Sequence, residues 1–85
     1  MGKTHIYKAM TELGFTEAPG VNRYYIENTD LYALLFHKRI GIRVVIAADL
    51  ENGFCEFMHT DKDGNVTDEQ KARMKEIIVQ FMLGE

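Results

Sequence analysis

The dipeptide Asn52-Gly53 lies between two runs rich in apolar residues, and it constrains the fold more than any other feature of the chain. Both residue types tolerate positive φ, which a two-residue type I′ turn requires at its two central positions. A turn of this kind joins neighbouring antiparallel strands. The sequence therefore predicts a β-hairpin whose strands cover residues 42–50 and 54–60.

Two further strands are predicted before this hairpin, over residues 23–27 and 31–37, where β-branched, aromatic and other apolar residues are frequent. The turn-forming residues 28–30 separate these two strands. Gly41 allows the chain to reverse before the third strand, because glycine adopts positive φ without a steric cost.

The first predicted helix covers residues 4–13. Its apolar residues recur every three or four positions and so share one side of a helix; they are Ile6, Ala9, Met10 and Leu13. We expect Thr4 to cap the start of this helix and Gly14 to end it. Residues 16–20, which contain the only proline, Pro19, are predicted to form a loop.

The second predicted helix covers residues 68–83. Thr67 and Gln70 match a capping box, in which each side chain accepts a hydrogen bond from the backbone of the other residue. The predicted buried side of this helix carries Met74, Ile77, Ile78, Phe81 and Met82.

These elements predict an α+β fold with the order α-β-β-β-β-α. Short connections favour a four-stranded antiparallel meander, with the N- and C-terminal helices packed on one face. We expect residues 1–85 to form a single domain. The element order resembles that of double-stranded-RNA-binding domains. The second helix lacks the lysine-rich start with which those domains bind RNA, so the resemblance implies a layout and no function.

Composition excludes some classes of protein. The single cysteine, Cys55, cannot form an internal disulfide, which excludes a disulfide-stapled secreted mini-protein. The chain has no signal-peptide pattern and no apolar run of the roughly 20 residues that a membrane span needs. We therefore expect a cytoplasmic protein without membrane contact. A net charge of −3 disfavours general nucleic-acid binding.

The predicted sheet carries more apolar side chains than one buried face accounts for. Side chains alternate between the two faces of a strand, and in residues 31–37 both alternating sets are apolar. In the third strand, Val45 and Ala47 lie beside Arg43 on the face that should be polar. A second copy of the chain is expected to cover this surplus, because twofold dimers are the commonest oligomers. The alternatives are that the two helices split across the two faces of the sheet, or that the surface is a tolerated apolar patch.

The second helix shows a similar surplus. Ala72, Val79 and Leu83 share the side opposite its main apolar side. This stripe is predicted to contact another chain, and the alternatives are an irregular apolar pattern near the chain end or packing beneath the first helix.

The residues that could carry chemistry do not form a known catalytic or metal motif. The segment of residues 60–67 places Asp61 and Asp63 as in a calcium loop, but it lacks the first aspartate and the final glutamate that calcium needs, so a turn is predicted. Cys55 lies mid-strand and is predicted to be buried, and the chain contains no serine. We therefore expect no enzyme activity, no metal and no cofactor.

The main basic cluster lies at residues 37–43, around the reversal at Gly41. It is predicted to be a solvated turn, with a phosphate or acidic-partner contact as the alternative. Our leading hypothesis is a non-catalytic interaction protein, a regulator, inhibitor or adaptor that binds another protein as a homodimer. The alternative is a small RNA- or DNA-binding module that uses the basic hairpin. The predicted partner-binding residues are Lys38, Arg39, Arg43, Val45, Val79 and Leu83.

Overall fold

The computed structural model describes residues 2–19, 22–48 and 53–83. It contains two helices, α1 and α2, at the two ends of the chain and an antiparallel sheet of five strands in the order β1-β2-β3-β4-β5. The elements are α1 (Gly2–Glu12), β1 (Thr16–Glu17), β2 (Arg23–Tyr25), β3 (Leu31–His37), β4 (Ile42–Ala48), β5 (Phe54–His59) and α2 (Asp68–Leu83). The predicted α+β class, with a helix at each end, is confirmed.

The predicted number of four strands is wrong, because residues 16–20 are not only a loop. Thr16 and Glu17 form β1 and pair with Tyr25 and Tyr24 of β2. The backbone N–H of Ala18 donates to the carbonyl of Arg23 at 2.8 Å, which closes the reversal around Pro19. A two-residue strand is too short to show the alternation from which strands are predicted.

The first helix begins at Gly2, before its predicted start, so Thr4 lies inside the helix and not at its start. The helix ends at Glu12, one residue before the predicted end, and Gly14 terminates it as predicted. Gly14 has a φ of +105° and donates to the carbonyl of Thr11, while the N–H of Phe15 donates to the carbonyl of Met10, both at 3.0 Å. This pair of bonds is the Schellman arrangement, which satisfies the last carbonyls of a helix.

The second helix begins with the predicted capping box. The N–H of Gln70 donates to the hydroxyl of Thr67 at 3.0 Å, and the N–H of Thr67 donates to the side-chain oxygen of Gln70 at 2.9 Å. Of the predicted Asn52-Gly53 turn, Asn52 lies outside the described residues. Gly53 has a φ of +71°, the sign that a type I′ turn requires.

One face of the sheet forms the core together with both helices. The helices contribute Ile6, Met10, Met74, Ile77 and Ile78, and the strands contribute Tyr24, Leu31, Ala33, Leu35, Ile42, Val44, Ile46 and Ala48. Every one of these strand residues lies on the same side of the pleat, because their positions alternate along each strand. We name this side the covered face.

Polar contacts attach α2 to β5. Arg73 donates to both carboxylate oxygens of Glu56, at 2.7 and 2.8 Å, and the side-chain amide of Gln70 donates to the carbonyl of His59 at 3.0 Å. Near the other end of β5, Phe54 and Phe81 meet edge to face, with ring centroids 5.2 Å apart. The helix therefore runs antiparallel to β5 over the covered face.

Within the ranges that the structure describes, neither helix combines the length and the apolar character that a membrane crossing requires.

Candidate binding face

The side of the sheet turned away from the helices is the candidate functional site, and we name it the open face. Its side chains alternate with those of the covered face along β2 to β5. It consists of Arg23, Tyr25, Tyr32, Leu34, Phe36, Arg43, Val45, Ala47, Cys55, Phe57 and His59.

The apolar residues of the open face form one connected patch. Cross-strand register places Val45 between Leu34 and Phe57, and Ala47 between Tyr32 and Cys55. Side chains directly opposite on neighbouring strands lie close enough to touch. The patch is therefore continuous across β3, β4 and β5.

The rim of this patch is strongly exposed. Phe57 is 62% exposed, Phe36 is 43% exposed and Tyr25 is 36% exposed, although most large apolar side chains in a folded domain are buried. Leu34 and Val45, at the centre, are half-buried between their neighbours. An apolar patch of this kind on a sheet is typical of a surface that contacts another molecule.

Cations lie over three aromatic rings beside the patch. The guanidinium carbon of Arg23 is 4.8 Å from the ring centroid of Tyr32, and that of Arg43 is 5.5 Å from the centroid of Phe57. The ammonium of Lys38 is 5.8 Å from the centroid of Phe36. The residues that form the open face include no carboxylate, while the whole chain carries a charge of −3. The open face is thus apolar and cationic on an acidic protein.

The structure separates the predicted partner-binding residues into two groups. Arg43 and Val45 lie on the open face, and Lys38 and Arg39 lie in the exposed turn between β3 and β4. Val79 is 46% exposed on α2, which packs on the covered face. Leu83 is the last residue of α2, and its side chain lies outside the described part of the chain. One flat partner surface cannot touch both groups.

Two further predictions about side chains are wrong. Cys55 is exposed, not buried, because it lies on the open face between Phe54 and Glu56, which turn toward α2. Met82 is 63% exposed although its helical position predicted a buried residue. It follows Phe81, which contacts the end of β5, and the helix extends past the core there.

The segment that resembles a calcium loop is a turn, as predicted. The carboxylate of Asp61 accepts hydrogen bonds from the backbone N–H groups of Asp63 and Asn65, both at 2.9 Å. These bonds, that of Asn65 above all, lower the pKa of Asp61. Across residues 2–19, 22–48 and 53–83, the structure contains no group of three or more His, Cys, Asp or Glu side chains that could hold a metal ion.

This turn lies beside the basic hairpin. A Cβ atom on Gly41 would come within 2.7 Å of the carbonyl oxygen of Asp61. A groove of about 190 Å³ between the two turns is lined by Lys38, Arg39, Lys62 and Asp63 among others. The carboxylates of Asp61 and Asp63 therefore offset part of the positive charge of the hairpin.

The sequence indicated the apolar surplus of β3 and β4 but not the contribution of β5 to the open face. Cys55, Phe57 and His59 join the open face only because β5 pairs with β4 in the observed register. The alternation in residues 54–59 was a usable signal, since Phe54, Glu56 and Met58 form the opposite set. The cation–aromatic pairs depend on side-chain positions that no local pattern predicts.

Comparison with known proteins gives no relative: no protein-family model, no curated protein and no solved structure matches this chain.

Proposed function

We propose that this chain is a non-catalytic interaction protein that binds another protein through the open face of its sheet. The observation that carries the proposal is the connected apolar patch around Val45, bordered by the exposed rings of Phe36 and Phe57. An exposed patch of this kind is stabilised when a partner removes it from water.

The charges of the open face favour a partner with carboxylates around an apolar centre. Arg23 and Arg43 already lie over aromatic rings, so a carboxylate that binds either guanidinium would also lie beside an apolar surface. If two copies packed their open faces together, Arg23 and Arg43 of both copies would bring four guanidinium groups into one interface. Neither open face would supply a carboxylate to balance them. Charge complementarity thus favours a different, acidic protein on this face.

A matched pair of variants tests this proposal. V45D places a carboxylate at the centre of the open face, whereas A72D places one on an exposed position of α2, on the opposite side of the molecule. Tagged chains are used to capture partners from the native host, after circular dichroism shows that both variants fold.

We expect the partner captured by the original chain to be retained by A72D and lost by V45D. The two proteins have the same net charge, so a general charge effect cannot produce this difference. The proposal would be overturned if V45D retained the partner, or if A72D lost it while V45D did not.

A nucleic-acid-binding function is a second candidate, because Lys38 and Arg43 lie over Phe36 and Phe57 at one end of the open face. Cations beside exposed rings can contact phosphates and stack on bases. Fluorescence anisotropy with a labelled single-stranded oligonucleotide at low salt tests it. Binding that K38E and R43E abolish and that weakens steeply with salt would support it, and no binding at low salt would exclude it.

A further inference from the structure

β5 is the longer of the two edge strands of the sheet. It has six residues, whereas the other edge strand, β1, has two. An edge strand exposes backbone N–H and C=O groups that can pair with another chain. The hydrogen bonds at the end of β5 show which of these backbone groups face outward.

The N–H of Thr60 donates to the carbonyl of Ile42 at 2.9 Å, so the backbone of Ile42 faces β5. Antiparallel pairing alternates along the strand, and the register therefore directs the backbones of Phe54, Glu56 and Met58 toward β4. The intervening residues Cys55, Phe57 and His59 direct their N–H and C=O groups away from the sheet.

The outward groups at the centre of β5 have no intramolecular partner among the described residues. The carbonyl of His59 accepts a hydrogen bond from the side chain of Gln70. The outward-facing groups without a partner therefore end before this carbonyl. For the backbone of Cys55 and Phe57, the described residues provide no hydrogen bond.

Three devices that often block an edge strand, namely lysine, proline and a bulge, are absent from β5, and its one charged side chain, Glu56, points to the covered face and pairs with Arg73. Its sequence, Phe-Cys-Glu-Phe-Met-His, contains no lysine and no proline. Its register with β4 runs without interruption from Arg43↔His59 to Ala48↔Phe54, so it has no bulge. The outward-facing backbone groups of Cys55 and Phe57 are therefore available for pairing.

We propose that two copies of this chain pair antiparallel through their β5 edges, with Phe57 opposite Phe57 of the second copy. The pairing joins two five-stranded sheets into one sheet of ten strands. The open faces of the two copies then lie side by side and remain free, so this inference does not rest on the proposed function.

The occupant of this edge is a second copy because the strand is complementary to itself in this register. About a twofold axis through Phe57, Cys55 lies opposite His59 of the second copy, so only outward-facing backbone groups pair. The carbonyl of His59, which accepts one hydrogen bond from Gln70, would accept the Cys55 N–H of the second copy on its second lone pair. Glu56 lies opposite Met58 of the second copy. The neighbouring register, centred on Glu56, would place the two Glu56 carboxylates opposite each other, which is unfavourable.

The register makes a specific disulfide possible. Residues in a hydrogen-bonded antiparallel pair have Cα atoms about 5.5 Å apart, inside the range of roughly 4.4–6.8 Å that a disulfide spans. The double variant C55A/F57C carries its only cysteine at position 57. The original chain is the control. In the proposed dimer, the Cys55 residues of its two copies are offset by four residues along the strands and so lie about 13 Å apart.

After mild oxidation, we expect C55A/F57C to form a disulfide-linked dimer at least about tenfold faster than the original chain, since rate follows proximity. Equal rates, or a dimer formed only by the original chain, would overturn the proposed register. Both proteins remain monomeric on a denaturing gel after reduction.

Light scattering on a size-exclusion column tests the edge itself. F57P removes an outward-facing N–H and spares the bonds to β4, while F57V keeps the N–H with a residue that favours strands. We expect twice the 9.8 kDa chain mass for the original chain and F57V, and the single mass for F57P. A monomeric original chain, or a dimeric F57P, would overturn the proposal.

If F57P does not fold, the disulfide rates decide. V45D, which changes the open face, should remain dimeric because the proposed contact lies at the edge of β5.

Discussion

Arg73 and Glu56 form a two-pronged ion pair between α2 and β5, with the guanidinium Nη2 and Nε donating to the two carboxylate oxygens at 2.7 and 2.8 Å. The pair is partly exposed, with 43% of the Arg73 side chain and 31% of the Glu56 side chain accessible. It joins α2 to β5 on the covered face, so the opposite face of β5 is left free.

This pair predicts a stability loss in acid. Hydrogen bonding from Arg73 lowers the pKa of Glu56 below its ordinary value of 4.5. A carboxylate with a lowered pKa stabilises the folded state above the unfolded pKa, and the contribution disappears as the pH falls through the folded pKa. We expect E56Q to lower the free energy of unfolding by about 1 kcal/mol at neutral pH. Its stability should also depend less on pH below 4.5.

Urea unfolding at several pH values measures both effects. E76Q is the matched control, because Glu76 binds the same guanidinium at 3.0 Å but is 71% exposed. An E56Q protein with the same acid dependence as the original chain would contradict the assignment.

Tyr24 predicts a second pH dependence, on the alkaline side. Burial raises the pKa of Tyr24 from 10.0 to about 12, and the nearby Glu17 and Tyr7 add to the effect. The unfolded chain therefore loses this proton at lower pH than the folded protein does. Stability should fall as the pH rises above 10, through the folded pKa, and Y24F should show less of this fall. Thermal unfolding at alkaline pH tests it, and an identical fall in Y24F would exclude Tyr24 as the cause.

Gly41 and Gly53 form a natural comparison of two glycines with positive φ. At Gly41 a Cβ atom would meet the carbonyl oxygens of Asp61 and Thr60 at 2.7 and 2.9 Å, whereas at Gly53 it would meet nothing within 4 Å. We expect G53A to cost about 1 kcal/mol from backbone strain alone. G41A should cost clearly more, about 2–4 kcal/mol, because the β3–β4 turn must also move away from residues 60 and 61. If denaturant unfolding gave equal costs for G41A and G53A, the β3–β4 turn would not contact residues 60 and 61.

The exposed position of Cys55 predicts a reactive thiol in the native protein. A thiol reagent should modify Cys55 without denaturant, and C55A should change the free energy of unfolding by less than about 0.5 kcal/mol. Modification that requires denaturant would instead place Cys55 in the core.

Local signals predicted most of the fold because they act within a few residues. The Thr67–Gln70 capping box, Gly14 and the alternation of β3 each follow from neighbouring residues, and each is present in the structure. The two-residue strand β1 was missed because only its pairing with β2 defines it.

The binding face was predicted only in part for a similar reason. The surplus of apolar residues in β3 and β4 was visible in the alternation around Val45. The placement of Arg43 over Phe57 depends on the register between β4 and β5, which is a long-range property. The separation of Val79 from the open face likewise follows from where α2 packs.

Site-specific photo-crosslinking in the native host tests most directly the central claim that the open face binds another protein. The photoreactive phenylalanine analogue benzoylphenylalanine replaces Phe36, on the open face away from β5, or Val79, on the outer side of α2. We expect an adduct with a different protein from position 36 and none from position 79. An adduct from position 79 alone, or no adduct with another protein from position 36, would contradict it.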